Sequence, residues 1–375
     1  MSGNAISFAL NDEQNELRRT VRSFLENKAD DAAIRGQLDT PVGYDTALWH
    51  QMSHQLGLTG LAIPEEFGGQ GFTFVELGIV AEELGRCLLP APYFASVVLA
   101  ANLIMHSGDD AAKGRYLPGI AAGSTAATVA ITEESGRWQP HAIRTRARSS
   151  GTGWALEGTK SYVLDGCNAD VVFVAARTDT GISLFAVDEF QTVARRPLST
   201  LDPTRRQARM KFDATPAALI GDEGQGWPVL AQTLSLGASA LAAEQVGGAQ
   251  RCLEMAVDYA KVRKQFGKPI GSFQAIRHKC ADIFLEVECA RGAAYYAVQA
   301  AAELSGELAA AASLAKACSS EAYAHAAAAN IQIHGGVGFT WEHPAHLFFK
   351  RAKSSGHLLG DATFHRGLLA DLVGI

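Results

Sequence analysis

The sequence predicts an α+β multidomain chain in which helical, β and helical stretches succeed one another over residues 1–125, 126–222 and 223–375. Three patterns carry that expectation. Leu17, Val21 and Leu25 recur at a spacing of four near the N-terminus, as residues on the buried face of a helix do. Ala208, Met210 and Phe212 alternate with Arg209, Lys211 and Asp213, the period of a strand with one face buried. Ile276, Cys280, Ile283, Val287, Ala290 and Ala294 step by four and three along one helical stripe. A helical–β–helical order with an antiparallel middle domain excludes a doubly wound parallel sheet.

The individual elements follow in chain order. Asn11 or Asp12 is expected to cap the first helix. The turn Ile63-Pro64-Glu65-Glu66-Phe67-Gly68-Gly69 precedes a helix over Val75–Leu84, with Gly85 as its stop. The uncharged run from Cys87 to Met105 holds Pro90, Pro92, Ser96 and Asn102, which favours a turn and a buried helix over a membrane span. Trp154/Leu156, Val171–Val174 and Ile182/Leu184 are short apolar segments punctuated by Gly151, Gly158, Gly166, Gly181 and, further on, Pro203. Gly153 to Lys160 has a superficial likeness to a phosphate-binding loop. Its lysine does not directly follow the second glycine, and a strand pattern comes next, so a hairpin is expected there. Past Gly226, alanine stretches at 297–302, 309–312 and 326–329 favour closely packed helices.

Composition narrows the function. The 375 residues carry 33 Lys+Arg against 39 Asp+Glu, a net charge of −6 with no basic footprint for nucleic acid. Six cysteines form no C-x-x-C pair and no metal-ligand spacing, so free thiols, no bound metal and a reducing, cytoplasmic setting are expected. The first twenty residues lack the charged and apolar blocks of a secretory leader.

Three segments carry chemistry. The first runs from Tyr259 through Arg263, Gln265, Phe266, Gly267, Pro269, Ile270, Ser272 and Phe273 to Gln274. A helix is expected to end near Gly267 and Ser272 to cap the next, with a guanidinium fork and an amide at a corner suited to a pyrophosphate. The second, Gln332-Ile-His-Gly335-Gly336-Val-Gly338-Phe339, offers paired glycines and close backbone approach. In the third, Ile131-Thr132-Glu133 and Gly158-Thr-Lys160-Ser-Tyr162-Val163 could present a flat, partly aromatic surface to a ring system. Each segment also has a bland explanation: a solvated arginine, a helix-end glycine and a β-core.

Taken together, in this order, the segments resemble the acyl-CoA dehydrogenase flavoprotein family over nearly the whole chain. RKQFGKPIGSFQ and QIHGGVGF are the specific pair, and Trp341-Glu342-His343-Pro344 is similar to the branch found in bacterial steroid and branched-acid catabolism. The resemblance implies a C-terminal four-helix bundle and FAD held at a subunit interface. Arg263, Gln265, Phe266, Gln274, Gln332, Gly335 and Gly336 would serve the ADP half bound by the neighbouring subunit, with Ile270 and Phe273 in the same segment. Ile131, Thr132, Tyr162 and Val163 would surround the isoalloxazine. It further implies an acyl-CoA substrate, an electron-transferring flavoprotein as acceptor, and a homo-oligomer or a hetero-oligomer with a homologous subunit.

The reaction side departs from the family pattern. Family chemistry needs a carboxylate to remove the α-proton while hydride leaves the β-carbon. One usual base position is Leu359, in Leu359-Gly360-Asp361, and the other is Gly237, followed by Ala238. Glu244 lies two helical turns beyond Gly237 on nearly the same face, about 10 Å further along, and is the candidate substitute; Asp361 is the other carboxylate nearby. Glu134-Ser135-Gly136-Arg137-Trp138 replaces a serine-bearing turn, and Leu164 replaces a threonine near flavin N5. Three expectations follow. Either the chain is an FAD-dependent acyl-CoA dehydrogenase performing α,β-dehydrogenation with Glu244 as base, or it is a non-catalytic subunit completing the FAD site of a base-bearing partner. A repurposed thioester-binding or lyase activity is a third.

Overall fold

The computed structural model describes residues 10–149, 151 and 153–375. The start of the stretch considered for a leader, residues 1–9, lies outside them. Helices occupy the first part of the chain, strands the middle and long helices the remainder, as expected. These stretches are distributed over two compact units, one comprising the chain up to Asp31, Phe74–Leu89 and Ala238–Ile375, the other Ala32–Thr73 and Pro90–Gly237.

In the first unit, helix α1 (Asp12–Lys28) opens with a reciprocal cap. The Asn11 side chain accepts from the Gln14 amide at 2.8 Å, and the Gln14 side chain accepts from the Asn11 amide at 3.1 Å. Helix α4 (Phe74–Cys87) runs through Gly85, which corrects the expectation of a stop there. Gly85 is needed for packing. A Cβ on it would lie 2.0 Å from the Glu244 carbonyl oxygen of α7 (Gly226–Val262), and one on Gly247 would lie 1.9 Å from the Glu82 carbonyl oxygen. The two helices therefore exchange glycine contacts at closer range than side chains permit. Beside that contact the adjacent acids Glu82 and Glu83 are buried and satisfied. Glu82 takes Arg18 at 3.1 Å, Arg291, and the Tyr295 hydroxyl at 2.5 Å, while Glu83 takes Arg22 at 2.7 Å.

Helices α8 (Gln274–Ala302), α9 (Leu308–His334), α10 (Ala345–His357) and α11 (Ala362–Val373) complete this unit. Alanines make the core of the pair α8 and α9: Ala290, Ala294 and Ala297 meet Ala311 and Ala315, with Ala242 and Val246 of α7. Of the predicted stripe, Ile283, Val287, Ala290 and Ala294 are buried, whereas Ile276 and Cys280 are half-buried.

The second unit contains most of α2 (Asp31–Leu38), then α3 (Thr46–His54), a π-helical segment Phe94–Ala100 continuing into α5 (Ala101–Met105), and α6 (Asp110–Ala121). The uncharged run is buried here from Phe94 to Ile104. Among the described residues no helix is long and apolar enough to cross a membrane. The sheet comprises β1 (Ala127–Ala130), β2 (Arg146–Ser149), β3 (Trp154–Leu164), β4 (Val171–Arg177), β5 (Ile182–Val187), β6 (Val193–Pro197) and β7 (Gln207–Ile220). Their order is β1-β4-β2-β3-β7-β5, with β5 also pairing β4, so the strands from β4 to β5 close on themselves. The antiparallel expectation needs correction at two pairings: β1 runs parallel to β4 in the register Ala127↔Val171 to Ala130↔Val174, and β2 meets β4 in parallel at Arg146↔Arg177. A parallel neighbour requires a long crossover, and the excursion through β2 and β3 supplies it.

The alternation at 208–213 is realised in β7, where Ala208, Met210 and Phe212 join Leu156, Val172 and Phe185 in the β core. The phosphate-loop lookalike runs into β3, which pairs antiparallel with β2 from Arg146↔Glu157 to Ser149↔Trp154. Its lysine points inward, and Lys160 is fully buried.

Candidate functional site

Within the β-bearing unit, the chain leaving β1 is zipped to the far end of β3. The Thr132 hydroxyl donates to the Ser161 carbonyl at 2.8 Å, and the Ser161 amide donates to the Thr132 carbonyl at 2.9 Å. The Lys160 ammonium donates to the Ile131 carbonyl at 2.9 Å and to Glu133 at 3.0 Å. The register slips between Lys160 and Val163, where Tyr162 takes a φ of +61° and projects outward, 44% exposed. Ile131, Thr132 and Tyr162 are thereby gathered at one edge. The Val163 side chain instead belongs to the β core, and Leu164 is buried beside it in sequence.

The Lys160–Glu133 pair escaped the sequence reading. Burial pulls the Lys160 ammonium down to about 8, against the attraction of Glu133. Burial opposes ionisation of Glu133, but Lys160 and the amides of Thr145 and Arg144 outweigh it and hold that carboxyl below its usual range. The signal lay in the inward phase of Lys160, which lines up with Leu156 along β3.

Within the helical unit, α7 ends at Val262 rather than near Gly267. A two-residue hairpin follows, β8 (Lys264–Gln265) against β9 (Lys268–Pro269), closed by the Ile270 amide donating to the Arg263 carbonyl at 2.8 Å. Phe266 and Gly267 form its turn at φ of +51° and +80°, the left-handed pair that such tight hairpins demand. Ser272 does not cap α8. Its hydroxyl donates to the Pro269 carbonyl at 2.7 Å, and Phe273 occupies the cap position.

Tyr259, one turn before Arg263, stacks on His334 at 4.3 Å between ring centres, which sets the end of α7 beside the end of α9. Burial holds the His334 imidazole below its ordinary range. Gly335 takes φ +62° and ψ −139°, and nothing lies within 4 Å of a Cβ built on Gly335 or Gly336. These glycines therefore leave an open backbone surface rather than a packed one. Arg263, Gln265, Gln274 and Gln332 are exposed around that corner, Ile270 and Phe273 half-buried, and Phe266 is 91% exposed. A guanidinium, several amides and an uncovered Gly-Gly backbone are a donor set that fits the diphosphate of a dinucleotide. Among the described residues no group of His, Cys, Asp and Glu is gathered as a metal centre would require.

The base candidates fare differently. Glu244 is 6% exposed and its Oε1 accepts from Arg351 of α10 at 3.0 Å, an ion pair inside the helical packing. Asp361 caps α11, accepting from the Phe364 amide at 2.8 Å. Leu359 is buried at φ +61°, followed by Gly360, where a Cβ would lie 2.2 Å from the Phe364 ring. Two buried bases hold this strained loop. The Lys316 ammonium donates to the Gly356 carbonyl at 3.2 Å and the Gly360 carbonyl at 3.0 Å; burial brings it down to about 7, against the pull of Asp361. His365 Nε2 donates to the Leu359 carbonyl at 3.1 Å, with Nδ1 3.4 Å from the Ser313 hydroxyl.

Burial first, and Lys316 second, lower the His365 imidazole to about 4 from its ordinary 6.5. Between those values the unfolded chain binds a proton that the folded chain refuses, so stability falls as pH drops from 6.5 towards 4. Urea midpoints measured across that window should decline more steeply for the wild type than for His365→Asn. Parallel slopes would contradict the assignment.

The helical–β–helical order is that of a flavoprotein-type dehydrogenase, as comparison with known proteins bears out. Family models for the acyl-CoA dehydrogenase N-terminal and C-terminal domains match residues 11–124 and 224–373. Acyl-CoA dehydrogenase IpdE2 of Mycobacterium tuberculosis is 36% identical over 93% of this chain and 93% of its own length. The Tcur3481–Tcur3483 steroid ACAD superposes with a TM-score of 0.88 and 32% identity, covering 97% of this chain and 98% of that one. A chain of the ChsE4–ChsE5 complex from Mycobacterium tuberculosis superposes with a TM-score of 0.90 and 28% identity, covering 98% and 99%. The chain belongs to the acyl-CoA dehydrogenase family, whose members are flavoproteins.

Proposed function

We propose that this chain is the base-lacking subunit of a heteromeric acyl-CoA dehydrogenase, completing the FAD site of a homologous partner that supplies the carboxylate for α,β-dehydrogenation of an acyl-CoA thioester. The observation that carries this reading is the buried ion pair between Glu244 and Arg351, in a chain with Leu359 and Gly237 at the usual base positions. A base must reach the α-carbon of its substrate, and Glu244 is already engaged between helices. FAD, where bound, supplies the acceptor for the β-hydride. Arg263, Gln265, Gln274, Gln332 and the Gly335-Gly336 backbone would hold the diphosphate of the FAD bound by the neighbouring subunit, with Phe266, Ile270 and Phe273 alongside. Ile131, Thr132, Tyr162 and the Val163 backbone would flank the isoalloxazine of an FAD seated on the β-bearing unit.

An apolar rim around the diphosphate corner supports a second subunit. Val262, Phe266, Phe339 and Trp341 are 72%, 91%, 82% and 65% exposed, and a patch of this kind marks an interface. Both superposed assemblies are named as paired chains, and one is named for a steroid. A steroid or branched acyl thioester, an electron-transferring flavoprotein as acceptor and a cytoplasmic setting belong to the same proposal. Co-expression with a base-bearing homologue should give one gel-filtration peak containing both chains and flavin absorbance. Elution of this chain by itself as a monomer, with the homologue separate, would count against the heteromer.

A further inference from the structure

We propose that the ring stack of Tyr259, His334 and His343 is the positioning element of the diphosphate corner. It holds the exposed loop after α9 in the pose that a flavin diphosphate meets. This inference rests on the flavin assignment proposed above and names what orients the Gly335-Gly336 backbone.

That loop has almost no core of its own. From Gly335 to Glu342 every residue is exposed except Gly338. Its backbone bonding is local, the Thr340 amide and hydroxyl donating to the Val337 carbonyl at 3.1 and 2.9 Å. A segment with so few buried contacts opens readily unless its ends are fixed. The ends are two histidines. His334 closes α9 and His343 stands just before α10, and their rings lie 4.2 Å apart at 47°. Tyr259 of α7 adds a third ring, 4.3 Å from His334 at 27°, so His334 is the member shared by both contacts.

Each imidazole is fixed to its own helix. His334 Nδ1 donates to the Asn330 carbonyl at 2.9 Å, one turn back along α9; a carbonyl only accepts, so that nitrogen carries the proton. His343 Nδ1 accepts from the Ala345 amide at 3.2 Å, one of the first amides of α10 that no helical carbonyl reaches. The contact between the rings therefore couples the end of α9 to the start of α10, and Tyr259 couples both to α7. Gly338 closes the same neck. A Cβ there would lie 2.8 Å from the His334 Cβ and 3.0 Å from the Ile331 carbonyl oxygen, so the loop folds back onto His334 at a range that only glycine allows. Farther along, Lys350 lies 4.4 Å from the Trp341 ring centre and His346 meets that ring edge-on at 4.6 Å. Those contacts tie the Trp341 side of the loop to α10 and leave Gly335-Gly336 dependent on the neck. A phosphate oxygen accepts from an amide only over a narrow range of distance and angle, so a neck that slips loses the diphosphate.

The test compares His334→Leu, which removes the ring, with His334→Phe, which keeps a ring in the stack and gives up the Nδ1 bond. Hydrogen exchange of the full chain, without flavin, should speed up about tenfold over residues 335–341 in His334→Leu and stay at the wild-type rate in His334→Phe. In the assembled pair of subunits, FAD affinity should fall about tenfold in the first variant and stay within about twofold of wild type in the second. Thermal midpoints verify folding, and Tyr259→Leu, at a half-buried position, should repeat the His334→Leu result. Unchanged exchange in both ring-removing variants would overturn the proposal. So would an equal acceleration in His334→Phe, which assigns the effect to the Asn330 bond. Wild-type FAD affinity in a variant whose loop exchanges faster would overturn it as well. Full flavin occupancy in Arg263→Ala would refute the diphosphate assignment itself, and the exchange contrast between His334→Leu and His334→Phe would be unaffected.

Discussion

Glu244→Gln is expected to lower the stability of the folded chain by about 3–5 kcal/mol, the range for removing one partner of a buried ion pair. Dehydrogenation by the assembled pair of subunits should continue at the wild-type rate per folded complex. The reason is the surroundings of Arg351. Its side chain is 2% exposed and that of Glu244 8% exposed, so the substitution removes the carboxylate charge from an ion pair that water does not reach. Replacing both, Glu244→Leu with Arg351→Met, should restore most of the loss, because exchanging a buried pair for apolar groups is close to neutral. Urea midpoints of the single and double variants check the coupling. A Glu244→Gln protein of normal stability that has lost turnover would restore Glu244 as the base.

Arg263→Ala should strip flavin from the protein. Arg263 stands at the base of the hairpin beside the Tyr259–His334 stack, exposed and aimed at no internal partner required for folding. A charge-assisted phosphate contact contributes about 1.5–3 kcal/mol, so affinity for FAD should drop by roughly 10- to 150-fold. Flavin absorbance per protomer after gel filtration measures it. Full occupancy in the variant would remove Arg263 from the diphosphate site.

How far the sequence disclosed this molecule depended on whether a residue's local pattern matched its tertiary role. The period-four and period-two patterns around Val21 and Met210 are legible because one face of each element is buried. Strands β1, β2 and β6 were not. Ala127–Ala130 is buried on both faces and shows no alternation, while Arg146–Ser149 and Val193–Pro197 carry too few apolar residues to show one. Gly85 looked like a stop because glycine commonly ends helices, yet its reason is the Glu244 backbone, distant in sequence. Ser272 looked like a cap for the same kind of local reason. In the site, the RKQF and QIHGG motifs are legible as motifs, but the Tyr259–His334 stack that sets them side by side is a contact between remote residues. The burial of Glu244 against Arg351 is another, and it is the fact that separates the two expected roles of this chain.

That separation has a direct measurement: anaerobic titration of the purified chain, flavin bound, with a panel of acyl-CoA thioesters, first alone and then after assembly with a base-bearing homologue. The chain alone should lose no flavin absorbance with any thioester, and bleaching should appear once the partner is present. Bleaching of the chain by itself would contradict it.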